Sequence, residues 1–182
     1  MNTQRPTIDR RTFLQLFGVG SVAFTLTGCV LPIQPTSTQG VTTMSTEKNQ
    51  ATLRRFVEEF WNKGNRAVVD EVFAADFQDR NPFAGVTPDR EGLKQAIVAY
   101  RNAFADQSLT IDDLIAAGDK VVWRWTHRGV HSGELIGIPA TGKTLTLTGI
   151  TIERFAAGQI VERWSQLDMM GFMQQLGLIS GQ

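Results

Sequence analysis

A 182-residue chain in which 18 Lys+Arg are balanced by 18 Asp+Glu has no net field to hold a polyanion against competing salt, so nucleic acid is excluded as an expected partner. An apolar fraction of 42% with 20% charged residues excludes a polytopic membrane protein and a disordered chain. The single cysteine excludes an internal disulfide, so one domain of roughly 130 to 150 residues has to be held by its core.

The first twelve residues are polar and net basic, with Arg10 and Arg11 adjacent, and an apolar stretch follows from Phe13 to Leu26. That stretch is shorter than the roughly 20 apolar residues a bilayer span needs, and a basic head before a short apolar run is the layout of a secretory signal. Asp9-Arg10-Arg11-Thr12-Phe13-Leu14-Gln15 resembles the twin-arginine export motif, and Leu26-Thr27-Gly28-Cys29 resembles a lipobox. The expectation is an exported lipoprotein of the cell envelope. Residues 1–28 are then the signal peptide and Cys29 the lipid attachment point, followed up to residue 46 by a tether rich in Pro, Thr, Ser and Gln. Two alternatives stay open: a buried helix with Cys29 as a small core residue, and a second start at Met44 giving a cytoplasmic form.

The domain is expected over residues 47–182. Ser45 or Thr46 caps a first helix carrying Leu53, Phe56, Val57, Phe60 and Trp61 at helical spacing, and Gly64 stops it. A short second helix covers about Arg66 to Ala74. Phe77 to Arg80 reads as a brief extended piece leading into the Asn81-Pro82 turn. Pro88-Asp89 starts a third helix with Leu93, Ile97, Tyr100 and Phe104 as its apolar stripe. Strands follow: Leu109 to Ala117, Lys120 to His131, Lys143 to Phe155 and Ile160 to Asp168, with turns at Gly118-Asp119 and Ala157-Gly158. In the third strand the apolar phase slips from Leu145 and Leu147 to Ile150 and Ile152, which predicts a β-bulge at Gly149. The fold class predicted is α+β: a cone-shaped α+β barrel in which three N-terminal helices pack on a curved antiparallel sheet and enclose a pocket.

The run Thr126-His127-Arg128-Gly129-Val130-His131-Ser132-Gly133-Glu134-Leu135-Ile136-Gly137-Ile138-Pro139-Ala140-Thr141-Gly142-Lys143 is similar to the central segment of SnoaL-like polyketide cyclases, also called ester cyclases. Gly158 to Trp164, Asp168 and the trailing Gln174-Gln175-Leu176-Gly177 resemble the same family. The resemblance spans about Asn49 to Leu178. It implies the cone fold of nuclear transport factor-like domains and a reaction without metal or cofactor, in which an aspartate at the end of the last strand is general acid/base. Asp168 stands at that position. The family often has a histidine before an Asn-Pro pair, where this chain has Arg80.

Strand alternation puts Ile160, Glu162, Trp164, Gln166 and Asp168 on one face of the last strand, so a catalytic Asp168 would share the pocket with Trp164. Burial beside an aromatic raises a carboxyl pKa towards neutrality, while the plainer role for Asp168 is the N-cap of a helix from Met169. Trp123, Trp125, His127 and His131 share a face of the second strand, and period alone does not say which face is inward. Trp125, His127 and His131 are candidate substrate contacts, with core packing or a hydrogen-bonded strand position as the plainer alternative. The two histidines lie roughly 13 Å apart along a strand, too far for one metal ion. Asn81 is a further candidate contact, otherwise a turn residue bonded to its own backbone. No metal or cofactor is expected. The ligand expected is a small hydrophobic carbonyl compound, bound by an acid/base enzyme of cyclase, isomerase or lyase type or by a non-catalytic binding or dimerisation module. A homodimer is expected from the exposed convex face of a curved sheet.

Overall fold

The computed structural model describes residues 39–179. The signal-peptide and lipidation expectations, Cys29 included, lie outside them. Helix α1 spans Gln39–Phe56 and runs directly into a π-helical stretch, Val57–Asn62, which Gly64 ends at φ +79°. Ser45 and Thr46 therefore lie within α1 and do not cap it. Helix α2 spans Ala67–Val72. Helix α3, Arg90–Asn102, starts where Asp89 accepts the Gly92 N–H at 2.7 Å, and Leu93 and Ile97 bury its inner face. Phe104 has already left the helix and opens a strand.

Five strands form one sheet: β1 Phe73–Asp79, β2 Phe104–Ala117, β3 Lys120–His131, β4 Thr144–Ala156 and β5 Gln159–Leu167, in the order β1-β5-β4-β3-β2. Helix α4, Met169–Leu176, closes the domain and ends at Gly177, which takes φ +84°. The domain is α+β with a curved open sheet, but the sheet is not wholly antiparallel. β1 begins at Phe73, inside the span expected for a helix, and pairs parallel with β5.

The expected bulge is also absent from its place. β4 pairs with β3 in unbroken register from Lys120↔Arg154 to Val130↔Thr144, and Gly149 sits regularly between Trp125 and Leu167. Inward positions of β4 alternate strictly as Leu145, Leu147, Gly149, Thr151, Glu153 and Phe155. The apolar phase slips because three of those inward residues are not apolar, so Ile150 and Ile152 are simply the outer face. The irregularities that bend the sheet lie elsewhere. β2 loses register between Ala105 and Ser108, where Asp106 has φ +48°, and again between Ile111 and Asp113. β5 carries Val161 as an extra residue between Ile160, opposite Phe155, and Glu162, opposite Arg154.

The core lies between the inner sheet face and the helices. Phe56, Phe60, Phe73 and Phe77 pack there ring against ring, with Phe56–Phe73 and Phe73–Phe77 centroids both 4.9 Å apart in edge-on contacts. Each such ring contributes roughly 1.5–3 kcal/mol by leaving water. This packing fixes α1 and β1 against the sheet and leaves a space between α3, α4 and strands β3 to β5.

Candidate active site

That space is a cavity of about 430 Å³. Its wall is largely apolar, with Leu93, Ile97, Trp125, Leu147 and Phe172 prominent, and its polar groups fall in two places.

The first is on α3 and β3. The Tyr100 hydroxyl lies 2.9 Å from His127 Nδ1, and His127 Nε2 lies 3.2 Å from Gln107 Oε1. Gln107 Nε2 donates to the Arg101 carbonyl at 3.1 Å, which fixes the amide so that its oxygen faces the histidine. An amide oxygen only accepts, so His127 carries its proton on Nε2 and offers the Nδ1 lone pair to the Tyr100 O–H. Burial, helped by the Arg101 charge, lowers the His127 pKa to about 4, so the ring is neutral at pH 7. Burial also pushes the Tyr100 phenol up, so it keeps its proton. The pair is thus a neutral O–H inside an apolar chamber, oriented by a chain that runs to backbone.

The second group is on β1 and β5. Asp79, Asn81, Arg163 and Ser165 all line the cavity. Asn81 clamps β5 beyond the end of β1: its Oδ1 accepts the Ser165 N–H at 2.8 Å and its Nδ2 donates to the Ser165 carbonyl. Its own N–H donates to Asp79 Oδ1 at 3.1 Å. The Ser165 hydroxyl meets Thr151 Oγ1 at 2.7 Å, and Thr151 accepts the Trp125 indole N–H at 3.0 Å. A Trp N–H only donates, so one hydrogen-bonded line joins the cavity's aromatic wall to β5.

Of the residues singled out in the sequence, Asn81, Trp125 and His127 are brought together in the cavity wall. His131 is fully buried on the same strand face but outside the cavity, its Nδ1 3.1 Å from Thr141 Oγ1. Trp164 and Asp168 are placed otherwise than expected. The extra residue Val161 reverses the alternation of β5, so that Arg163, Ser165 and Leu167 point inward and Trp164 lies on the outer face opposite Ile152. Asp168 is exposed, outside the cavity lining, and caps α4 by accepting the Gly171 N–H at 2.9 Å. Asp79, Tyr100, Arg163 and Ser165 were not singled out. A signal existed for Tyr100, the chain's one tyrosine, standing in an apolar helix stripe. Among the described residues no three His, Cys, Asp or Glu side chains come together as a metal site.

A family model described as SnoaL-like polyketide cyclase matches residues 51–176. The chain belongs to the SnoaL-like polyketide cyclase family. This SnoaL-like domain is similar to the structure of TsrD from Streptomyces laurentii, at 31% identity over 73% of this chain and 97% of that one, with a TM-score of 0.67. It is similar to IdmH from Streptomyces antibioticus, a candidate polyketide cyclase, at 32% identity over 71% and 98%, TM-score 0.63. A candidate polyketide cyclase from Acidithiobacillus ferrooxidans shares 30% identity over 72% and 95%, TM-score 0.63. Comparison with curated proteins finds no match. Arg80, the departure from the family's His-Asn-Pro pattern, lies outside this SnoaL-like cavity and donates to Glu162 through Nε at 2.9 Å.

Proposed function

We propose that the domain performs cofactor-free acid/base chemistry, of cyclase or isomerase type, on a small and largely apolar carbonyl compound. The observation that carries this reading is the Tyr100–His127 pair: a neutral hydroxyl held by a neutral imidazole, in a cavity that also presents the Asp79 carboxylate. Asp79 takes a proton from the carbon next to the carbonyl. The Tyr100 hydroxyl turns from Nδ1 towards the ligand oxygen and donates to the charge that develops there, where the dry wall strengthens the hydrogen bond.

The test is proton exchange at the α-carbon of 2-tetralone in heavy water, followed by NMR. The domain is expected to accelerate exchange over buffer, and Asp79→Asn and Tyr100→Phe are each expected to lower the rate by about 100-fold. Asp168→Asn addresses the role that the family resemblance implies: exchange at the wild-type rate leaves Asp168 as a cap, and its loss returns the chemistry to Asp168. A second reading, a binding module of the same fold, draws on the position of Asp168 outside the cavity. Ligand binding with no exchange above buffer would favour it.

Membrane tethering through Cys29 belongs to the same proposal and rests on the order of basic head, apolar run and Leu26-Thr27-Gly28-Cys29. No helix among the described residues is long and apolar enough to cross a membrane. Cys29→Ser is expected to move the protein from the membrane to the soluble fraction on cell fractionation, and an unchanged distribution rejects the anchor. A homodimer through the outer sheet face, where Ile115 and Ile150 are exposed, is the assembly this surface supports.

A further inference from the structure

Arg163 is an unusual member of the cavity wall. It is only 7% exposed, and it lines the cavity. Among the described residues its charge has one acidic neighbour in ion-pair range, Glu153, at 3.7 Å from Nε to Oε1, which is beyond hydrogen-bond reach. Nε and both Glu153 oxygens are buried with no hydrogen-bond partner among the described residues. Asp79, opposite Arg163 across the β1–β5 register, has its Oδ1 taken by the Asn81 N–H. A guanidinium presents five N–H donors in a planar fork, and leaving such donors dry and unpaired is costly. Nε is the donor that is buried and unpaired, and Nη1 and Nη2 donate to no described residue, so the guanidinium is open to an acceptor from the cavity side.

We infer that the cavity takes a ligand bearing a carboxylate, seated on the Arg163 guanidinium, with the apolar body of the ligand along Leu93, Ile97 and Phe172. A carboxylate matches the fork with two parallel hydrogen bonds, which neither a neutral carbonyl nor a hydroxyl provides. Burial holds the Glu153 carboxyl well above the usual range, so it stays protonated near neutrality and leaves the arginine charge for the ligand. This narrows the proposed substrate class from a carbonyl compound to an apolar keto acid, whose carboxylate sits on Arg163 and whose ketone is left for Tyr100, and it rests on the reading of this cavity as the ligand site.

The experiment is calorimetric titration with 1-naphthoate and with 1-naphthamide, which share a ring system and differ in charge at the acceptor. The wild-type protein is expected to bind the acid at least about tenfold more tightly than the amide, the worth of a charge-assisted pair over a neutral one. Arg163→Gln is expected to erase that preference, and Arg163→Lys, which keeps the charge without the fork, to retain part of it. Equal affinity for the two probes in the wild type, or binding of neither, overturns the inference. So does a preference that persists in a folded Arg163→Gln. Tyr100→Phe separates the two proposals: acid binding that survives while 2-tetralone exchange is lost leaves both standing. Exchange without any acid preference sinks only the carboxylate site.

Discussion

Relative to Glu153→Gln, the wild-type fold is expected to lose stability steadily between pH 4.5 and pH 8, through the carboxyl of one residue, Glu153. Glu153 is fully buried on β4, directly between Val121 of β3 and Arg163 of β5. Desolvation raises its pKa from 4.5 to about 8; the Arg163 charge lowers it, but not enough to offset burial, and Asp79 adds to the rise. A carboxyl with a folded pKa above its unfolded one binds its proton more tightly when folded. Its stabilising contribution is complete below 4.5 and is lost as pH rises through about 8. The slope in that window is about 1.4 kcal/mol per pH unit, so the full loss is at most about 5 kcal/mol. Glutamine keeps the shape and removes the titration. Glu162, whose pKa is lowered first by Arg80 and then by Arg154, loses its contribution on the acid side, and His127, held neutral by burial, adds stability as pH rises from about 4 to 6.5; both act alike in the two proteins and cancel in the comparison. Urea unfolding at pH 5, 6.5, 8 and 9 reads the result: the variant should gain on the wild type as pH rises. Parallel pH profiles would mean that Glu153 is ionised against Arg163 throughout.

Much of the fold is legible in the sequence because local chemistry dictates it. The Asp89 cap, the Leu93 and Ile97 stripe of α3 and the turns at Gly118-Asp119 and Ala157-Gly158 are all set by residues within a few positions of one another. β1 is not, because its partner β5 is more than 80 residues away and Phe73 and Ala74 continue an apolar helix pattern without a break. The candidate site was half legible for a related reason. Period 2 sorts β3 correctly into two faces, and Trp125 and His127 reach the cavity together. In β5 the same rule fails after Val161, since one extra residue moves every later side chain to the opposite face. Arg163 then reads as solvent-facing, whereas its side chain is only 8% exposed. Inward Thr151 and Glu153 carry the same lesson in β4. A buried polar residue looks like a surface position until its partners, Trp125, Ser165 and Arg163, are known.

Gly149→Ala should cost about 3 kcal/mol, at the upper end for overpacking, and should disturb the cavity as well as the fold. Gly149 keeps an ordinary strand register, so neither a bulge nor a left-handed backbone explains the glycine. The reason is the neighbour directly across in β3. A methyl at position 149 would come within 2.4 Å of Trp125 Cζ2 and 2.8 Å of the Gln166 carbonyl oxygen. The carbonyl belongs to the paired strand β5 and cannot withdraw, so the indole must. Withdrawal breaks its 3.0 Å hydrogen bond to Thr151, and with it the line that continues to Ser165 in the cavity wall. A dry indole N–H without a partner adds to the steric cost. Trp125→Phe separates the contributions, since it removes the hydrogen bond and the ring atom Cζ2 together. In that background Gly149→Ala should lose most of its penalty, as a double-mutant cycle on chemical unfolding would show. Full additivity of the two substitutions would place the strain at the Gln166 carbonyl and leave Trp125 free of it.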